Sequence, residues 1–306
     1  MQKFSAFVVK NRTWIIFSII IITAWAAYFL KDLRVNPDII SYLPKSDPAV
    51  RLFHYVGEKY SGNFLAIVAL ASKEIFDENT LHDINALTLK CKQVPGVAHV
   101  TSLTNILDIK SGEFGIEIGN LIDENNIPQS KEELLALKNY VLSKDIYRGK
   151  IVSPDGKVSL IICRLAQGAD RIKTAMEIKR IVKEANLTEK VYFGGLPFQL
   201  MDISEMIWRE LIYLVPFVSL MTIFALFFSF RTIKGVVLPL ITVFISSIWT
   251  LGLMSICKIP LTIISDVIPV VLVAVGSAYS IHIIGRYNEE LKNNLNAVEC
   301  SRNALQ

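Results

Sequence analysis

Four long apolar runs interrupt an otherwise polar, mixed chain. They cover 14–30, 211–228, 235–257 and 259–284, and the first three hold no charged residue. Each approaches the ~20 residues that a helix needs to cross hydrocarbon, so the pattern predicts four membrane-spanning helices. A cleaved signal peptide is the rival reading of the first run. Lys3, Lys10 and Arg12 would form its basic region, and Ala24-Trp25-Ala26 resembles a small-x-small cleavage site. The run, however, exceeds the roughly 7–15 residues of a signal core, and Trp25 and Tyr28 suit interfacial anchors. It is read as a retained span.

The segment 31–209 between spans one and two has the periodicities of a folded α/β domain. Residues 34–48, "RVNPDIISYLPKSDP", read as an extended, proline-bounded link. Residues 64–71 form a buried-strand run. Residues 77–93 place Leu81, Ile84, Leu87 and Cys91 on one helical face. A strand follows over 97–103. Ser130, with Glu132 and Glu133 behind it, opens a helix through Leu142. Strand 157–165 follows a Pro154-Asp155-Gly156 turn. Helix 169–185 and strand 191–198, the latter broken at Gly194-Gly195, complete the series. The order β-α-β, connection, β-α-β suits a small split βαβ sandwich, with the 130–142 helix in an insert between its halves. The chain thus divides into a tail and first span (1–30), an α/β domain (31–209), three spans (210–285) and a terminal helical stretch (286–306).

Charge orients this plan. Lys3, Lys10 and Arg12 precede span one, Arg231 and Lys234 lie between spans two and three, and Arg286 and Lys292 follow span four. With four spans all three groups fall on one side, opposed in the short turns only by Lys258. Basic residues near span ends mark the cytoplasmic face, so both termini are expected inside a cell (inner) membrane and 31–209 outside. The formal net charge of +4 comes from such flanks; no basic block of nucleic-acid type occurs. Cys91, Cys163, Cys257 and Cys300 fit no metal-ligand spacing. Cys91 and Cys163 both fall in the α/β segment, where a disulfide or a pair of buried free thiols are alternative readings. His54, His82 and His99 are widely spaced and are read as ordinary surface or satisfied side chains. Gly194-Gly195 is read as a strand break. No phosphate-binding loop, nucleophile elbow or His-Glu-x-x-His is present, so an enzyme, a metal site and a cofactor are not expected.

One span, an α/β domain and three closely spaced spans resemble the first half of resistance-nodulation-division (RND) transporters. Three stretches carry the likeness: "PDIISYLPKSDP" after span one, "GGLPF" (194–198) before span two, and "GSAYSIHIIGRYNEEL" (276–291) at the end of span four. The last is similar to the family's glycine, small residue and tyrosine followed by Arg-x-x-Glu-Glu. The nearest likeness is to the MmpL-like, hydrophobe/amphiphile efflux-3 branch; sterol-sensing membrane proteins are more distant. The resemblance implies a porter-like external domain, lipid or hydrophobic substrates and partnership with membrane lipids. It also implies a second, similar half or a homo-oligomer. In the family, a stretch like 297–306 precedes a fifth span, so the chain is expected to be an N-terminal half.

The resemblance also points to site residues. Family members couple transport to protons through an acid–tyrosine pair in span four. Here Ala278 occupies the acid position and Tyr279 the tyrosine position. At about 100° per residue, Tyr279, His282 and Arg286 fall within roughly 60° of one another, and histidine can titrate near neutrality. A Tyr279/His282 relay, with Ser277 beside it, is therefore one reading; an interfacial stripe ending in a snorkelling Arg286 is the other. Asp266, the only acid within 259–284, is either a residue of the outer interface or part of an ion path. Gly276, Arg286, Glu289 and Glu290 are expected to be structural, the acids opening a cytoplasmic helix in which they pair with Arg286 and Lys292. Ser246, Ser247 and Gly252 are expected at helix–helix contacts. The function expected is half of a proton-driven exporter of hydrophobic molecules; the alternatives are a membrane-anchored binding module or a split-gene remnant.

Overall fold

A computed structural model describes residues 7, 8, 10–60, 64–112, 115–122, 127–292, 299, 300 and 304. The chain resolves into two compact units. One comprises Asp38–Asp202 and the other Met1–Pro37 with Ile203–Gln306.

The α/β unit holds α2 (Pro48–Tyr60), β1 (Leu65–Ala71), α3 (Glu78–Lys92), β2 (Val97–Thr101), β3 (Leu107–Gly112), β4 (Gly115–Asn120), α4 (Lys131–Ser143), β5 (Val158–Leu165), α5 (Arg171–Glu184) and β6 (Lys190–Gly194). Four strands form one sheet in the order β2-β5-β1-β6. Every neighbour is antiparallel, with Leu65 opposite Arg164 and Ala71 opposite both Val158 and Lys190. This is the split βαβ arrangement expected from the sequence. Alternation builds the core: Ala66, Val68 and Leu70 of β1 and Ile161, Cys163 and Leu165 of β5 face inward. Leu81, Ile84, Leu87 and Cys91 of α3 and Ala175, Ile178 and Val182 of α5 close over them. Side chains start the helices where the sequence placed them. Asp77 accepts from the Asn79 N–H, Asp170 accepts from those of Ile172 and Lys173, and Ser130 and Glu133 form a reciprocal capping box. Each satisfies donors that a helix start leaves orphaned.

Three expectations are corrected here. Pro48 does not bound a link but opens α2. Asp47 accepts from the Ala49 N–H at 2.7 Å, and proline suits the first helical position because its missing N–H would be unpaired there. The link ahead of it contains a 3-10 turn, Ile39–Tyr42, capped by Asp38. Strands β3 and β4 pair antiparallel, with Leu107 opposite Asn120, in a segment expected only as connection. The Tyr147 and Tyr140 hydroxyls tie it down by donating to Asp108 Oδ1 at 2.7 and 3.0 Å. Finally, the last strand stops at Gly194. Gly195 has φ +90°, where a Cβ would sit 2.1 Å from the Leu65 carbonyl oxygen, so only glycine fits. Leu196, Pro197 and Phe198 are already helical.

The helical unit contains α1 (Arg12–Phe29), most of α6 (Leu196–Phe230), α7 (Ile233–Ile256) and α8 (Ile268–Lys292). All four helices are long and apolar enough to cross a membrane. The 35 residues of α6 span about 52 Å at ~1.5 Å per residue, well beyond ~30 Å of hydrocarbon. Its polar first part therefore extends past the apolar run. Arg231 (φ +51°) and Lys258 (φ +56°) adopt the left-handed conformation just after α6 and α7. They reverse the chain there and bring a cation to each helix's negative end.

Helix α7 packs against both α1 and α8. At Gly252 a Cβ would lie 2.6 Å from the Ala26 carbonyl oxygen. Trp249 Nε1 donates to Thr23 Oγ1 at 2.9 Å and Ser255 Oγ donates to the Phe29 carbonyl at 2.7 Å. Of the three small residues expected at contacts, Gly252 makes one; Ser246 is half-buried and donates to the Thr242 carbonyl of its own helix. On the other side, a Cβ at Gly276 would meet Val243 Cγ2 at 2.8 Å. Close backbone approach through small residues is how helices associate where lipid removes the hydrophobic drive.

Candidate functional site

Helix α8 carries most of the residues singled out by the sequence. It starts at Ile268, not at 259. Residues 257–267 are a turn, fastened by a reciprocal pair in which the Thr262 N–H donates to Ser265 Oγ at 2.7 Å and the Ser265 N–H to Thr262 Oγ1 at 3.1 Å. Leu261 is clasped by the segment after α1: its N–H donates to the Arg34 carbonyl and its carbonyl accepts from the Asn36 N–H. Pro260 and this turn chemistry hold the backbone out of helix. Asp266 consequently lies outside the spanning helix, which corrects its placement within span four. At the other end α8 runs unbroken to Lys292. Arg286, Glu289 and Glu290 therefore continue the span's own helix and do not open a new one. The stretch 297–306 falls largely outside the described residues.

Along α8 the expected residues separate by face. Ser277 is 7% exposed, and its Oγ donates to the Ala274 carbonyl at 2.8 Å. Ser280 Oγ donates to the Gly276 carbonyl at 2.9 Å. Both hydroxyls are thus satisfied within their own helix. Tyr279, 69% exposed, lies on the open side with Ala278, His282 and Arg286. Among the described residues no hydrogen bond or ion pair joins Tyr279, His282 and Arg286. Gly276, beside them, sets the distance between α7 and α8. The stripe is therefore open on this chain.

Asp266 is different. It is 8% exposed, and its Oδ2 accepts no hydrogen bond from any described donor. Burial first, and then the carboxyl of Glu210 within hydrogen-bonding reach, raise its pKa above the usual 3.8. The N–H groups of Val267 and of Asp266 itself act in the opposite direction. Glu210 belongs to the part of α6 just ahead of the apolar run at Leu211. Sequence reasoning missed it. The one available sign was that Glu210, just ahead of one apolar run, and Asp266, near the start of another, both lie toward the Lys258 end of the spans. Periodicity along one helix says nothing about a residue on another.

The same end holds a cleft of about 540 Å³ whose lining includes Lys31, Arg34 and Lys258 with Phe29 and Ile259. In the α/β unit, Cys91 and Cys163 are free, fully buried thiols in contact with each other. The contact with Cys91, and then burial, hold the Cys163 thiol above the ordinary range. Among the described residues no three His, Cys, Asp or Glu side chains converge as metal ligands do.

Comparison with known proteins completes the picture. The membrane protein MJ1562 of Methanocaldococcus jannaschii is 22% identical over 311 residues, which cover 96% of this chain and 76% of that protein. The MMPL family model matches residues 61–306, from the start of the sheet through all three later helices. With four helices of membrane-crossing length and a split βαβ unit, the chain belongs to the MMPL family and is a multi-pass membrane protein built on the RND transporter plan.

Proposed function

We propose that this chain moves lipids or other hydrophobic, amphiphilic molecules out of the cell as one half of a proton-driven RND-type transporter. The observation that carries the reading is the family match over 61–306 on a span–domain–three-span plan. In this reading both termini are cytoplasmic and the α/β unit is external, as the basic residues Lys10, Arg12, Arg231, Lys234, Arg286 and Lys292 favour. Tyr279 and His282, open on α8, face a second half or a second copy and relay protons to it. The substrate leaves the membrane and is received by the α/β unit.

The test is reconstitution of the full chain, with its partner half if one is required, in vesicles under an imposed pH gradient. Extrusion of a fluorescent acyl-chain probe is expected with the gradient and not without it. His282→Ala is expected to abolish gradient-dependent extrusion. Unchanged extrusion in that variant rejects the relay, and no extrusion by the unaltered protein rejects transport.

Ala278 favours a second reading. With no acid at the position where the family carries one, the chain would act as a membrane-anchored binding or sensing module. It would then retain the acyl probe with the same affinity whether or not a gradient is applied.

A further inference from the structure

The unpartnered oxygen of Asp266 asks for a donor that no neighbour provides. Thr262 and Ser265, the hydroxyls of its own turn, are spent on each other. The charged side chains toward this end of the helical unit include Lys31, Asp32, Arg34, Glu205, Arg209, Glu210 and Lys258. Only Glu210 acts appreciably on Asp266, and it is a second acid. Lys31 sits over the Tyr28 ring at 3.7 Å. Lys258 and Arg34 are exposed and line the neighbouring cleft. Two ionised carboxylates within hydrogen-bonding reach repel, and burial magnifies the cost. One proton resolves both problems: the protonated carboxyl donates to the ionised one, a charge-assisted hydrogen bond. The single remaining negative charge then sits just ahead of the first turn of α8, whose dipole favours it.

We infer that Asp266 and Glu210 form a proton-holding carboxyl pair, linking the turn before α8 to α6 at the end of the helical unit opposite His282. Loss of the shared proton converts an attractive contact into two like charges and pushes the turn away from α6. The pair thus makes the junction of α6 and α8 sensitive to pH on that side. Its use in transport rests on the proposed proton-driven reading. There it would load a proton at the external face, about 20 Å along α8 from Tyr279 at ~1.5 Å per residue, in a chain whose family acid position is Ala278. The existence of the pair does not rest on that reading.

The experiment is infrared titration of the full chain in lipid nanodiscs, reading the protonated-carboxyl band, alongside its melting temperature against pH. A native pKa raised above the unfolded value gives stability that is full below about pH 4 and declines as pH rises through the raised value. The unaltered protein should show a carboxyl band that titrates above the ordinary range, with a melting temperature falling over the same interval. Asp266→Asn should lose the band and flatten that limb. Glu210→Gln keeps the shape, supplies an amide donor and removes the second charge. It should therefore shift the Asp266 titration downward while leaving the part that burial causes, and it reads the pair even if Asp266→Asn fails to fold. A titration that does not move in Glu210→Gln, a band that persists in Asp266→Asn, or a band missing from the unaltered protein overturns the pair. So does a melting limb that shifts with sodium and not with pH. Transport failure with the band intact counts against the transporter reading alone; band failure with proton-driven transport intact counts against the pair alone.

Discussion

The two units solve the same problem with opposite faces. In the α/β unit the apolar residues of the four-stranded sheet build a core: Leu70 and Ile161 are sealed. In the helical unit Ile20, Phe224 and Phe244 stand exposed, while Gly252, Gly276 and Ser277 occupy the contacts. Water drives the first arrangement through the hydrophobic effect. That force cannot distinguish a helix surface from lipid tails, so the second arrangement rests on close packing and a few interhelical hydrogen bonds. An apolar residue is therefore a poor guide to the core of this protein until its unit is known.

Truncations in the two units offer the strongest way to break the comparison. Leu70→Ala should cost about 3 kcal/mol, within the range for emptying a sealed core site. Ile20→Ala, on the lipid side of α1, should cost less than about 1 kcal/mol. Thermal unfolding of the full chain in nanodiscs, with hydrogen exchange at β1, measures both; equal losses would end the contrast. Overfilling the helical unit comes next. Gly252→Leu should separate α1 from α7 and cost about 2 kcal/mol, lowering the melting temperature while β1 amides stay protected. Unchanged stability would mean that the two helices are not held at Ala26.

Smaller effects sharpen the picture. Tyr147→Phe removes a donor to the buried Asp108 and should cost about 1.5 kcal/mol, seen as faster exchange in the β3–β4 hairpin. Trp249→Phe deletes the bond to Thr23 and should cost only ~0.6 kcal/mol, the average for such bonds in membranes. Labelling with a water-soluble maleimide should perturb least. Cys257, exposed after α7, should react in the native protein, whereas the buried Cys91 and Cys163 should react only after denaturation. Prompt labelling of Cys163 would show that the α/β core is open.

Much of this was legible in the sequence because it is local. The four apolar runs, the helix starts near Asp77, Ser130 and Ala169, and the apolar runs of β1 and β5 are short-range patterns. The hairpin was missed because Leu107, Ile109 and Ile118 alternate over short strands whose apolar side chains stay exposed. The opening of α2 is hidden because proline reads as a breaker unless the Asp47 cap beside it is seen. The start of α8 was displaced because residues 259–267 are apolar enough to pass for span, while their turn is set by a Thr262–Ser265 bond that hydropathy ignores.

The sequence by itself determined the plan: four spans, a split βαβ unit between the first two, and a polar stripe on the last helix. Those features follow from periodicity and from the cost of placing charge in hydrocarbon. Only the tertiary structure decided which polar residues meet. It satisfied Ser277 within its own helix, left Tyr279 and His282 open, and set Glu210 of one helix against Asp266 ahead of another. Residues 56 positions apart in the chain acquire a shared environment only when helices pack, and no local pattern encodes that distance.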